Sequence, residues 1–298
     1  MPNTLAHIAV NGISTRTVIK NADLKWILLG TIIPDIPWML QRAAKILSPE
    51  INGYDLRLYV IVQATLFFSL ILSLWFSQFS KNQIKAFIIL GIGSALHLIL
   101  DATQRKWGNG VHLFAPFDWT LLNFGLYWPE DTVTYLITIA GLVYVFFYRK
   151  ELFSAETDIK FRKITFHIFY LIVLSLYFLL PFYFMNDAEA ADNHFVHTLR
   201  DVKNRTGKYI EFDRRKVFEK NNNLYLETFA NESIKLQITG NPKEGTYSIR
   251  GIFVDPATIK VTDYHKHNAV LRDGASYLGL LLVLAVWFIA FRKKITVT

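Results

Sequence analysis

The chain of 298 residues contains no cysteine. Disulfides, thiolate zinc sites, iron–sulfur clusters and cysteine nucleophiles are therefore excluded. Any metal site must be built from histidine and carboxylate side chains instead. The lack of cysteine does not by itself fix the cellular compartment.

Charge is also scarce, because charged residues make up 19% of the chain, against about 25% in soluble domains. Hydrophobic residues make up 52%, and the mean hydropathy is +0.26. This balance disfavours both intrinsic disorder and an ordinary soluble enzyme. The glycine-rich nucleotide-binding motifs and the Gly-x-Ser-x-Gly motif of serine hydrolases are absent from the sequence.

Long apolar stretches dominate the sequence. Membrane-spanning helices are predicted, for about 30 Å of hydrocarbon, at residues 58–79, 86–100, 133–148, 164–184 and 277–291. Residues 25–40 are apolar but are interrupted by Pro34, Asp35 and Pro37, and residues 4–19 form a weaker, amphipathic candidate. The N-terminal stretch has neither the basic region nor the cleavage site of a signal peptide. We therefore expect a polytopic α-helical membrane protein of about seven helices.

The positions of the basic residues predict how the helices are oriented in the membrane. The net charge of +8 reflects 32 lysines and arginines against 24 acidic residues. Clusters of these cations lie in short connections around residues 16–25, 81–85, 149–163 and 292–294. If the N-terminus is outside, all four clusters lie on the same face of the membrane. This face is expected to be the cytoplasmic one, because basic loops favour the cytoplasm. We expect a bacterial cytoplasmic (inner) membrane protein without a nucleic-acid partner, although four cations fall on the outer face: Arg42, Lys45, Arg105 and Lys106.

A polar insert separates the last two predicted helices. Alternating runs separated by turn residues predict strands at 208–212, 224–229, 234–238, 247–254 and 259–264. Five such strands indicate a small extracytoplasmic β domain, with a barrel of the oligonucleotide/oligosaccharide-binding (OB) type as the expected form. The predicted units are a membrane helical bundle with the candidate site at 1–150, a cytoplasmic loop and sixth helix at 151–185, the β domain at 186–273, and a C-terminal membrane helix at 274–298.

Four ionisable residues in or next to the predicted helices stand out: His7, Asp35, His97 and Asp101. Such residues are costly in a membrane and usually functional. His97 and Asp101 are four residues apart and share one helix face, a spacing that suits a divalent metal such as zinc. Counted from the nearest basic flank, the four lie at depths of about 14 to 24 Å. All four therefore fall in the outer half of the membrane.

Short motifs in a fixed order carry a family resemblance. They are Pro-Asn-Thr-Leu-Ala-His at 2–7, Gly-Thr-Ile-Ile-Pro-Asp at 30–35, His-Leu-Ile-Leu-Asp at 97–101 and Pro-Phe-Asp-Trp at 116–119. In this order they resemble the bacterial membrane-bound metal-dependent hydrolases, the YdjM-like proteins, which are in turn similar to the zinc-dependent phospholipase C fold. The resemblance covers residues 1–130. It implies zinc held by His7, Asp35, His97 and Asp101, and a phosphate-ester substrate such as a lipid headgroup or envelope precursor.

The sequence departs from the family in one segment. A His-Arg-Gly-x-Thr-His-Ser segment is usual between the second and third motifs, but residues 53–59 here read Gly-Tyr-Asp-Leu-Arg-Leu-Tyr. Asp55 either substitutes as a carboxylate ligand or is a rim charge, and Arg57 is either an anion clamp or a rim charge. His112, in the connector after Asp101, completes the coordination, acts as a general acid or is a surface histidine. Asp55 and His112 are our candidate catalytic residues.

Two functions remain open. The first is a metal-dependent hydrolase whose partners are membrane lipid and a phosphate-ester substrate. The second is a non-catalytic binding protein derived from such a hydrolase, which presents the β domain to an envelope ligand or protein. A transporter is disfavoured because paired broken half-helices are missing. We expect Glu130 and Asp131 to cap a helix, and His194, His197, His265 and His267 to be exposed.

Overall fold

The computed structural model describes residues 3–154, 159–160, 167–240, 242–268 and 270–295. Its helices are α1 Thr4–Val18, α2 Leu24–Ile32, α3 Ile36–Leu47, α4 Gly53–Gln63, α5 Leu66–Ser77, α6 Gln83–Thr103, α7 Thr132–Leu152, α8 His167–Leu179, α9 Pro181–Ala190, α10 Val196–Arg200 and α11 Val270–Ile295. Its strands are β1 Tyr209–Lys220, β2 Asn223–Glu227, β3 Ser233–Gln237, β4 Gly245–Asp255 and β5 Thr258–His267. The fold is therefore helical with one strand-rich insert between α10 and α11.

The described chain has four helical segments long and apolar enough to cross a membrane: Gln83–Thr103, Thr132–Leu152, Ile168–Ala190 and Val270–Arg292. A bent pair, α4 and α5, gives a fifth if it is counted as one span. This is fewer than the seven predicted, since α1, α2 and α3 have only 15, 9 and 12 residues. A single span needs about 20 residues.

Two local breaks explain most of the difference. Pro34 and Pro37 lack the N–H groups that would continue the hydrogen-bond ladder of α2, so a 3₁₀ turn at Ile33–Asp35 separates α2 from α3. The predicted continuous helix 58–79 is wrong, because α4 and α5 meet at 68° and Thr65 caps the start of α5. The predicted helix 164–184 corresponds to α8 and α9, and its first residues, 164–166, lie outside the described part of the chain.

The sixth helix, α6, lies at the centre of the helical part. About half of its apolar window, 56%, is buried, against 17% for Ile168–Ala190. The close approach of α2 and α6 requires glycine on both sides, since a Cβ on Gly93 would lie 3.1 Å from the Cα of Gly30. A Cβ on Gly141 of α7 would lie 2.1 Å from the carbonyl oxygen of Leu5 on α1. Small residues therefore let these helix backbones meet directly.

The five predicted strands are confirmed, and they form one sheet in the order β1-β2-β3-β5-β4. The pairs are antiparallel except β3 with β5, which are parallel. The strand β4 pairs with β1 as well as with β5, so each strand has two neighbours. Apolar side chains of the sheet form its own core: Ile210, Phe212, Leu226, Ile249, Phe253 and Ile259.

The insert docks on the connector that follows α6. The Gly108 backbone N–H donates to Glu211 Oε2 over 2.6 Å, and the Asn109 side chain donates to Asp213 Oδ2 over 2.9 Å. Gly108 has a φ of 62°, and a Cβ there would lie 2.4 Å from the Glu211 carbonyl oxygen. A glycine is thus needed at this contact. The β1 strand is thereby held beside the C-terminal end of α6, which carries His97 and Asp101.

Candidate metal centre

The structure brings the four predicted ligands together from three elements. His7 on α1 places Nε2 3.3 Å from Asp101 Oδ1 on α6, and His97 on α6 places Nε2 3.6 Å from Asp35 Oδ1 in the 3₁₀ turn. The two imidazoles stack with centroids 3.8 Å apart and planes 7° from parallel. Both histidines are 1% exposed and Asp101 is 6% exposed. Residues separated by up to 94 positions therefore share one buried site.

One hydrogen bond fixes the His97 ring. Its Nδ1 lies 2.6 Å from the Thr31 carbonyl oxygen, and since a carbonyl only accepts, Nδ1 carries the hydrogen. Pro34 has no N–H, so it cannot donate to the Thr31 carbonyl in the 3₁₀ turn. The neutral ring then presents the lone pair of Nε2 toward Asp35. Histidine ligands of metals are usually oriented by such a second hydrogen bond.

Several buried atoms at this site have no hydrogen-bond partner in the described chain. They are both ring nitrogens of His7 and one oxygen each of Asp35 and Asp101. Leaving such an atom unsatisfied costs about 1 to 3 kcal/mol. One ligand atom each from His7, His97 and Asp101 lie within 4.8 Å of one another, a group that could hold a metal ion. Two imidazole nitrogens and carboxylate oxygens fit zinc or a similar divalent ion.

Lys106 holds the second oxygen of Asp101. Its Nζ lies 3.0 Å from Asp101 Oδ2, and the lysine is 3% exposed. Lys106 is therefore a buried partner of Asp101. Its neighbour Arg105 is exposed and donates to the Gly125 carbonyl. Because Lys106 engages Oδ2, the Oδ1 atom of Asp101 is left facing His7.

His112 lines the same cavity as Asp35, His97 and Asp101. It is 4% exposed, and neither ring nitrogen makes a hydrogen bond of normal geometry within the described residues. Burial lowers the pKa of His112 to about 4, against the smaller opposing effect of the Trp119 and Thr120 backbone. The surface alternative for His112 is thus wrong, and its imidazole is neutral at neutral pH.

His194 is a residue of this cavity that the sequence did not indicate. We expected it to be exposed, but it is 6% exposed and its ring lies 6.0 Å from that of His112. Its Nδ1 accepts a hydrogen bond from Arg57 over 2.7 Å. Burial and the Arg57 charge hold the pKa of His194 well below its usual value. The backbone at His194 has a φ of 55°, a conformation that is uncommon outside glycine.

Asp55 does not reach the metal centre. Its side chain is 52% exposed and pairs with Arg200 at the surface. Asp55 is absent from the cavity lining, whereas Arg57 lines a cleft beside the cavity. The two residues are two positions apart on α4 and so point to different faces of the helix. Of the two alternatives for Asp55, a metal ligand or a rim charge, the structure therefore supports the rim charge. This carboxylate does not replace the missing histidine segment.

A second polar cluster joins the connector to the insert. Glu130 Oε1 lies 3.0 Å from His265 Nε2 and 2.6 Å from His267 Nδ1, and the three form a further group that could hold a metal ion. Burial alone would raise the pKa of Glu130, but the two histidines outweigh burial and lower it. The prediction of exposed histidines is wrong for His267, which is 6% exposed. Asp131 is the N-cap residue of α7, whereas Glu130 is a partner of the insert.

No protein-family model matches the chain, and no curated protein or solved structure matches it either. A function must therefore be argued from the side chains themselves. The two features that carry such an argument are the buried histidine–carboxylate group and the charged cleft next to it.

Proposed function

We propose that this protein is a membrane-embedded, divalent-metal-dependent hydrolase that acts on phosphate esters. His7, Asp35, His97 and Asp101 are the proposed ligands, and zinc is the proposed ion. The observation that carries the proposal is the convergence of unpaired, buried nitrogen and oxygen atoms from α1, the 3₁₀ turn and α6. Burying such atoms without a cation between them would be unfavourable.

The ion, when bound, would activate water near neutral pH and polarise a phosphoryl oxygen. The protein supplies the fixed surroundings. The Thr31 carbonyl sets the His97 ring, and Lys106 sets the Asp101 carboxylate. His112 faces the same cavity as a neutral imidazole, which fits a proton acceptor or a hydrogen-bond donor better than the general acid considered from the sequence.

Phosphate esters are favoured because of the charges nearby. A cleft that shares Asp101 and Lys106 with the centre is lined by seven cationic side chains and three carboxylates. Arginine and lysine are the usual ligands of phosphoryl oxygens in proteins. A neutral substrate would leave this excess of positive charge without a role.

The proposed location is the bacterial inner membrane. Large apolar side chains are exposed on the outward faces of the long helices, for example Leu136 and Phe147 on α7 and Leu281 and Phe288 on α11. Such faces fit lipid contact. The basic loops support an outside N-terminus with residues 186–273 extracytoplasmic. The strand order and the β4–β1 pairing support an OB-type form for the insert.

Metal analysis of the detergent-purified, full-length protein tests the metal centre. We expect zinc bound in a fixed ratio to wild-type protein, and its loss in Asp101→Asn and in His7→Gln. The His7 side chain makes no hydrogen bond of normal geometry in the described structure, so its variant removes a proposed ligand atom without breaking another hydrogen bond. Asp55→Asn is the matched control and should retain zinc. Wild-type protein that binds no metal after zinc is supplied would refute the proposal.

The missing histidine segment favours a second candidate, a metal-holding binding protein without turnover. The two candidates differ in one measurement. A hydrolase with bound zinc cleaves phosphate esters in a panel of lipids, and cleavage falls in the His7→Gln variant. A binding protein retains zinc and lipid but releases no product.

A further inference from the structure

Two adjoining cavities meet at the metal centre. The first, the cationic cleft, has a volume of about 440 Å³ between α3, α4 and the β1 strand of the insert, and Asp101 forms part of its wall. The second, the α11 groove, has a volume of about 300 Å³ along α3 and α11. Asp35 forms part of its wall, and its lining is partly apolar and partly charged. Proposed metal ligands thus line both cavities. The cleft and the groove share five residues: Trp38, Arg42, Arg214, Arg272 and Asp273.

The cationic cleft holds more positive charge than its own carboxylates neutralise. Each of its three carboxylates already pairs with one of its cations, as Asp101 does with Lys106. Four cations of the cleft have no carboxylate within salt-bridge distance among the described residues: Arg42, Lys45, Arg57 and Arg215. Two of these come from α3, one from α4 and one from the insert. The excess charge is therefore assembled from separate parts of the chain.

Three of these cations contact one residue, Phe229. The guanidinium groups of Arg57 and Arg215 each lie 5.4 Å from the centre of the Phe229 ring, and Lys45 donates to the Phe229 carbonyl. Burial, with the charges of Arg215 and Arg57, lowers the pKa of Lys45. The Nε atom of Arg57 is buried and lacks a hydrogen bond. Like charges held this close are unfavourable until an anion lies between them.

The number of unpaired cations indicates how much anionic charge the cleft accepts. One phosphate monoester carries about −1.5 to −2 charges at neutral pH. The charge of Glu227 acts on both Lys45 and Arg215 and offsets one of the four cations. The remaining excess still exceeds the charge of one phosphate monoester and therefore fits two phosphoryl groups better than one. The α11 groove adds a second requirement, because Ile32, Met39 and Leu280 line one side of it, beside the charged residues it shares with the cleft, and α11 is a candidate membrane span. A chain leaving the cleft through this groove would reach the lipid-facing side of the protein.

We propose that the ligand of the cationic cleft is a lipid whose headgroup carries two adjacent phosphoryl groups, with its hydrocarbon chain along the apolar side of the α11 groove. This inference rests on the proposed function and names its substrate class. Arg57 of the helical part and Arg215 of the insert together hold the headgroup. The β insert thereby supplies part of the substrate site and is not only a separate domain for partners.

Binding to the metal-free, full-length protein tests this inference without hydrolysis. The protein is purified in detergent and treated with EDTA, and calorimetry compares farnesyl diphosphate, farnesyl monophosphate and inorganic pyrophosphate. We expect the diphosphate lipid to bind at least about tenfold more tightly than either other probe, because each of them lacks one set of contacts. Equal binding of the two lipids would overturn the two-phosphoryl assignment. Equal binding of free pyrophosphate would overturn the lipid assignment.

A matched pair of variants tests the role of the insert. Arg215→Gln should weaken binding of the diphosphate lipid about tenfold, since one charged hydrogen-bond donor is lost. Lys216→Gln makes the same change of charge at an exposed neighbouring position of β1 and should bind as wild type does. Indistinguishable variants would overturn the role of Arg215. Zinc content is measured separately, so loss of lipid binding with zinc retained contradicts only this inference, and loss of zinc with lipid binding retained contradicts only the proposed function.

Discussion

Replacing Gly93 by alanine tests whether the packing of α2 against α6 sets the geometry of the metal centre. A Cβ at Gly93 would lie 3.1 Å from the Cα and carbonyl carbon of Gly30, tighter than the 3.4 to 4 Å of ordinary contact. The obstacle is backbone, so the two helices must separate by a few tenths of an ångström. Overpacking of this kind costs about 1 to 3 kcal/mol.

The same displacement acts on His97, one helical turn beyond Gly93. Thr31 directly follows Gly30, and its carbonyl accepts the 2.6 Å hydrogen bond from His97 Nδ1. Separation of the helices lengthens this bond and moves the ring relative to Asp35. Loss of an orienting contact of this kind weakens metal binding about 10- to 100-fold. Moving the His97 ring without breaking this hydrogen bond should have an effect at the lower end of that range, so we expect about tenfold weaker zinc binding.

Zinc affinity is measured by competition with a chelator, and stability by thermal unfolding in EDTA, which separates packing from metal binding. Gly91→Ala is the matched control on α6, because its nearest contact is the end of the flexible Leu70 side chain at 3.1 Å. We expect this control to retain zinc affinity and most of its stability. Zinc affinity unchanged in Gly93→Ala, despite a lowered unfolding temperature, would refute the link between helix packing and ligand geometry.

Two further predictions concern the groups around the centre. His112→Gln should retain zinc but lower hydrolysis about 10²- to 10⁴-fold if the imidazole transfers a proton, with exposed His197→Gln as control. Unchanged hydrolysis would remove His112 from the reaction. Glu130→Gln should destabilise the protein by about 1 to 3 kcal/mol at neutral pH, with exposed Glu50→Gln as control. Folding lowers the pKa of Glu130, so its ionised carboxylate stabilises the folded protein. This stabilisation is fully present above the pKa of about 4.3 in the unfolded chain and is lost as the pH falls below that value. The unfolding temperatures of wild type and Glu130→Gln should therefore converge in acid, and a constant difference would contradict this.

The candidate ligands could be predicted because their signals are local. His97 and Asp101 share a helix face through their spacing, and Asp35 stands between two prolines. The strands could be predicted for the same reason, since alternation along each strand reflects its own two faces. The break between α4 and α5 could not be predicted in this way, because no proline or glycine marks Ala64 or Thr65. Thr65 caps α5 there, and apolar content on both sides concealed the bend.

Contacts between distant parts of the chain were the ones missed. His194 enters the cavity through left-handed backbone at Asp192, His194 and Phe195, and its ring contacts Arg57, 137 positions away. Glu130 and the two histidines of β5 are similarly remote in sequence. Each of these residues looks like a surface group when only its neighbours in sequence are considered. Sequence patterns therefore predict least well whether polar residues next to an insert are exposed or buried.

The insert and the helical part form one site because both contribute to the same charged surface. The connector after α6 carries Lys106, which holds Asp101, and Asn109, which holds Asp213 at the insert. Asp213 in turn lies 3.5 Å from Arg214, and the neighbouring Arg215 lines the cationic cleft. A shift of the insert would therefore move the cleft cations and the Asp101 side chain together. Because the insert is held to the connector by hydrogen bonds and a close glycine contact, its position and the charge that faces the candidate metal centre are linked.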